Sequence, residues 1–138
     1  MGGRLVNIQK EMSELFGNAC YAYCIAWLFS DAVLRNDVKT LTRCVVQGWC
    51  NGYIEDDGFV ASPVLYANQV LGRNVYTDVE NVKISSLSEL PEGNYAVEYD
   101  YGTKKHCVVC NKSGIVFDSW PESNCVKYGK PTSYRLYI

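Results

Sequence analysis

Around Asn74 the apolar residues of this chain stop recurring at helical spacing and begin to alternate. A repeat near 3.6 buries one stripe of a helix, and a repeat of 2 buries one face of a strand, so the two halves call for different elements. Before the switch, residues 7–15 fit a short helix that Phe16-Gly17-Asn18 interrupts. Residues 19–34 follow with Cys24, Trp27, Leu28 and Ala32 in register and apolar residues almost all round. That pattern predicts a buried helix, with Asn18 as its N-cap. Asp37 opens a third helix to about Gln47, ended by Gly48-Trp49-Cys50-Asn51-Gly52. Ser62-Pro63 opens a fourth to about Val70, closed by Leu71-Gly72. After the switch, strands are predicted at residues 82–84, 95–99, 105–110, 115–118 and 134–138. Turn-forming residues separate them at 90–94, 100–103 and 111–114. The expectation is one α+β domain over residues 1–138, helices first and then an antiparallel meander.

Bulk composition removes several functional classes. Of 138 residues, 48% are hydrophobic and 20% charged, the balance of a globular chain with a real core. The 11 tyrosines favour strands and half-wet surfaces. The formal net charge is −2 and no run of like charge is long, so the electrostatic footprint of a nucleic-acid binder is missing. Glu55-Asp56-Asp57 reads as a solvated loop. Nothing approaches the roughly 20 apolar residues of a membrane span. The opening Met1-Gly2-Gly3-Arg4-Leu5-Val6-Asn7 matches neither a signal peptide nor a myristoylation signal. The protein is therefore expected to be cytoplasmic where it is made, with later release by cell lysis left open. Its 7 cysteines cannot all pair within one chain, and without a secretion signal free thiols are expected.

The chain has a single histidine, His106, in Gly102-Thr103-Lys104-Lys105-His106-Cys107-Val108-Val109-Cys110. Any imidazole-dependent chemistry must run through it. Asp118 ends the next predicted strand, in Gly114-Ile115-Val116-Phe117-Asp118-Ser119-Trp120. Across a hairpin centred on Lys112-Ser113, position 106 falls roughly opposite 119, which brings Asp118 within reach of the imidazole. A carboxylate hydrogen-bonded to one ring nitrogen fixes the tautomer and supports the charged form. The nucleophile that fits this pair is Cys20, at the start of the buried helix. A thiol attacks only as thiolate, and both a helix N-terminus and a neighbouring imidazolium lower its pKa. The free N–H groups of that first turn also suit an oxyanion.

The order and context of these residues resemble the papain-like cysteine peptidase superfamily. The likeness is nearest to small bacterial branches such as bacteriocin-leader peptidases and cell-wall endopeptidases. The nucleophile of that superfamily starts a buried helix, as Cys20 does in Gly17-Asn18-Ala19-Cys20-Tyr21-Ala22-Tyr23-Cys24. Its base begins a strand, as His106 does before Cys107-Val108-Val109, and Asp118-Ser119-Trp120 is similar to the Asn-Ser-Trp of papain-type enzymes. The resemblance implies a papain-like fold, with N-terminal helices carrying the nucleophile packed on an antiparallel sheet. It also implies a Cys20-His106-Asp118 triad, a peptide or protein substrate cut at a peptide or isopeptide amide, and no cofactor or metal. The chain departs from the pattern at one place. Papain-like enzymes usually carry a Gln about six positions before the nucleophile as an oxyanion donor, and here that position is Glu14. Gln9 is the preferred replacement, with Asn7 and Asn18 as further candidates.

Other readings of the same residues stay open. Cys24, one helical turn after Cys20, is the rival nucleophile. Cys107-Val108-Val109-Cys110 has the spacing of a zinc knuckle, but in a strand its two thiols face opposite sides of the sheet. A redox Cys-x-x-Cys motif belongs at a helix start and fails on the same ground. Trp120 is expected to shield the site by packing. Specificity is expected from residues 51–61 and 121–131. At the level of function, a phage- or plasmid-borne interaction module on the same scaffold is one alternative. A deamidase or transglutaminase, which runs on the same triad, is another. The oligomeric state is not readable from the sequence.

Overall fold

The computed structural model describes residues 7–138, so the expectations about Met1–Val6 lie outside the described residues. Among these it is α+β, with five α-helices and a five-stranded antiparallel sheet. The helices are α1 (Ile8–Gly17), α2 (Cys20–Phe29), α3 (Val38–Cys50), α4 (Pro63–Leu71) and α5 (Asn124–Tyr128). The strands are β1 (Val79–Lys83), β2 (Tyr95–Tyr101), β3 (Lys104–Asn111), β4 (Gly114–Phe117) and β5 (Lys130–Tyr137). A 3₁₀ turn at Leu87–Glu89 joins β1 to β2. No helix among the described residues is long and apolar enough to cross a membrane.

Most helix starts follow from local chemistry. Asn7 caps α1 by accepting the Lys10 N–H, and Asp37 caps α3 by accepting from the Lys39 N–H and the Thr40 hydroxyl. Gly72 ends α4 at φ +84°, a conformation that glycine adopts without steric cost. Three boundaries differ from expectation. Asn18 does not cap α2; it is the C-cap of α1, and Ala19 precedes α2 with no side-chain cap. Helix α2 stops at Phe29 rather than Leu34: Ser30 makes the last helical N–H bond, to the Ala26 carbonyl, but its own backbone is extended at ψ 160°, and its hydroxyl also turns back to that carbonyl. Helix α3 runs past Gly48 to Cys50. A side chain at Gly48 would come within 2.8 Å of Ile54 and Tyr66, so this glycine serves packing and not a turn.

The strand order is β1-β5-β2-β3-β4. Strands β2, β3 and β4 form the expected meander, but β5 inserts between β1 and β2. The connection from β4 contains α5, which was not expected; its Cys125 and Val126 join Val97, Tyr99, Val108 and Cys110 on one face of the sheet. The other face carries Ala96, Cys107 and Val109 against Cys24 and Trp27 of α2. Cys107 and Cys110 therefore do lie on opposite faces. A second core unites α1, α2, α3 and α4 around Tyr66, which is fully buried and donates its hydroxyl to the Ala22 carbonyl at 3.0 Å.

The loop at residues 51–61, from which specificity was expected, braces the helices, and none of its residues lines the cavity around Cys20 described below. Gly58 sits at φ +94° against the link between α1 and α2. A Cβ there would lie 2.1 Å from the Leu15 carbonyl oxygen and 2.9 Å from the Ala19 nitrogen. Both contacts are to backbone, which cannot rotate away. Gly58→Ala is expected to destabilise the fold by at least about 2 kcal/mol, measured as a lowered midpoint in urea. A change below about 0.5 kcal/mol would show that the link is not clamped there.

Candidate active site

Cys20 is the first residue of α2, and its thiol is half-buried. With no side-chain cap at Ala19, the amides of the first turn are not engaged by a capping group. The Tyr21 N–H, next to it in that turn, is one of the backbone groups that lower the thiol. Another comes from the sheet. Strand β4 pairs only with Val109, Cys110 and Asn111, leaving the first half of β3 without a neighbour on that side. The Cys107 N–H, in that half, also lowers the Cys20 thiol.

His106 is the third residue of β3, paired with Tyr99 of β2, and only 7% exposed. Its Nε2 lies 2.6 Å from Asp118 Oδ1, and the same oxygen accepts the Trp120 N–H at 2.8 Å. A carboxylate only accepts, so Nε2 carries the proton, and Nδ1 is the ring nitrogen left for the Cys20 thiol, which lines the same cavity. Phe117, just before Asp118, stacks on Trp27 of α2 with ring centroids 6.0 Å apart. That stack ties the strand carrying the carboxylate to the helix carrying the thiol.

The electrostatics of the pair run in opposite directions. Burial alone pushes the Cys20 thiol up, but its hydrogen bond to His106 and the N–H of Cys107 outweigh this and leave it lowered. Burial alone pulls His106 down, but hydrogen bonds to Asp118 and Cys20 outweigh it and raise the imidazole to about 10. The two shifts run in the directions that favour a thiolate beside an imidazolium. Cys24 is the opposite case. It is fully buried, and burial followed by its contact with the Cys107 thiol pushes it well above its ordinary value. The structure thus places Cys20, and not Cys24, against the imidazole.

These groups open into a cavity of about 810 Å³ whose lining includes Asn18, Cys20, Tyr23, His106, Asp118 and Trp120. Gln9 is not brought to it. It lies exposed near the start of α1, eight residues before Gly17 or about 12 Å along the helix. Asn7 is occupied as the α1 cap, and Glu14 is exposed, with Lys10 at 3.9 Å. Of the amides considered, only Asn18 lines the cavity. Trp120 is 58% exposed at the rim, so it does not act as a packed shield. No residue pattern signals the Cys107 amide, whose availability depends on where β4 stops. Val38 and Leu41 also line the cavity, from a helix that sequence spacing does not connect to Cys20. No protein-family model, curated protein or solved structure matches the chain.

The two shifts predict a pH profile. Cys20 alkylation by iodoacetamide should rise with a midpoint below the ordinary thiol value. His106→Ala should move that midpoint up by about one pH unit or more, because the imidazolium that favours the thiolate is gone. Mass-spectrometric labelling across pH 4 to 10 reads this, and a midpoint unmoved by His106→Ala would sink the pairing.

Proposed function

We propose that this protein is a papain-like thiol hydrolase that cleaves a peptide or isopeptide amide. The observation that carries the reading is the thiol at the first residue of a buried helix, held against an imidazole whose far nitrogen is bonded to a buried carboxylate. The Cys20 sulfur attacks the carbonyl carbon. His106 then gives its Nδ1 proton to the leaving amine, and an acyl thioester remains on Cys20. Water, deprotonated by His106, attacks the thioester and returns the thiol. Asp118 holds the ring in the tautomer that presents Nδ1 to sulfur and stabilises the imidazolium. The Cys20 backbone N–H and the Asn18 side-chain amide are the donors assigned to the oxyanion. The papain-like assignment draws support from the helix-then-sheet order and from the placement of the three residues.

Turnover of a fluorogenic peptide-amide library, with products read by mass spectrometry, tests the proposal. Cys20→Ala and His106→Ala should each cost about 10³-fold or more in kcat, and Asn18→Ala about 10²-fold. Release of ammonia from glutamine side chains without backbone cleavage would reassign the site to deamidation. Binding of peptides with no Cys20-dependent turnover would favour an interaction module.

A further inference from the structure

The cavity around Cys20 is unlike at its two ends. On the helix side stand Phe16, Tyr23, Val38 and Leu41, with Trp120 across from them on the loop after Asp118. Two of these are unusually wet for their type. Val38 is 72% exposed and Trp120 is 58% exposed. Val38 is the first residue of α3, where a β-branched side chain adds nothing to helix formation. Apolar surface left open beside a thiol fits a binding wall, since covering it with an apolar side chain removes both surfaces from water. At the start of β3 the lining includes Lys104 and Lys105, against one exposed acid, Glu122, on the loop after Trp120. Lys105 has a partner in Glu98 at 3.9 Å, whereas Lys104 is exposed and has no carboxylate within 4.0 Å among the described residues.

We infer that the substrate presents a bulky apolar side chain beside the scissile amide and a carboxylate that reaches Lys104. The apolar side chain sits among Phe16, Tyr23, Val38, Leu41 and Trp120, and the ammonium of Lys104 selects the acidic neighbour. This rests on the hydrolase reading, so its test uses a readout that does not need turnover. The probes are two series of affinity labels for Cys20: N-bromoacetyl dipeptides and peptidyl chloromethyl ketones. Each series carries Phe with Asp, Ala with Asp, or Phe with Lys. Labelling rates are read at Cys20 by mass spectrometry on the full chain.

In at least one series the Phe–Asp label should react about 10-fold faster than Ala–Asp. Val38→Asp should abolish that advantage. Aspartate is tolerated in the first turn of a helix, so the fold is retained. Lys104→Glu should reverse the preference between Phe–Asp and Phe–Lys. Rates that ignore the side chain in both series would overturn the inference, and so would a Phe preference that Val38→Asp leaves intact. Iodoacetamide, which has no side chain, separates the two claims. A side-chain preference without enhanced iodoacetamide reactivity at Cys20 would keep the binding wall and remove the hydrolase. Enhanced reactivity without preference would do the reverse.

Discussion

Because β4 ends at Phe117, opposite Val109, the first half of β3 lacks a strand on that side, and the rest of the site depends on that gap. A strand edge carries unpaired backbone donors that must find partners. Here one of them, the Cys107 N–H, is among the groups that lower the Cys20 thiol. A longer β4 would have claimed that donor for the ladder. It would also have carried Asp118 onward as a strand residue. Instead the chain leaves the sheet at Asp118, whose carboxylate turns to His106 and accepts the Trp120 N–H.

The buried His106–Asp118 pair is costly in isolation, since taking a charge out of water disfavours it unless it is paired and hydrogen-bonded. Asp118 Oδ1 receives two donors, and Cys20 adds to Asp118 in raising His106. A thiolate beside an imidazolium would give each a counter-charge in place of the water that burial removes. Helix α2 supplies the framework: its first residue is the thiol, and Trp27, two turns on, stacks on Phe117 beside the carboxylate.

Much of this could be read from the sequence, and the reasons are local. The reach from His106 to Asp118 follows from hairpin geometry once Asn111-Lys112-Ser113-Gly114 is recognised as a turn. Cys20 at a helix start follows from the Phe16-Gly17-Asn18 break, although the cap residue was misassigned because α1 runs on to Gly17. What escaped was non-local. The place of β5 between β1 and β2 is set by how α5 crosses one face of the sheet, and a five-residue helix is too short to show a period. Gln9 is the one glutamine that precedes Cys20, yet α1 carries it away from the cavity. Val38 and Leu41 reach the cleft only because α3 folds back beside α2, which no spacing in the sequence encodes.

The β3–β4 hairpin also contains a register shift between Val109 and Cys110, so its two arms are unequal in length. In such a hairpin the separation of His106 and Asp118 is a molecular ruler marked in residues. One insertion or deletion between them would shift the carboxylate by about 3.3 Å and turn it to the other face. The stretch from Ser119 to Gly129 is held differently, at points and not by a count: Trp120 donates its N–H to Asp118, and Cys125 and Val126 pack on the sheet. Length changes in this sequence are therefore expected to be tolerated between those anchors sooner than between His106 and Asp118.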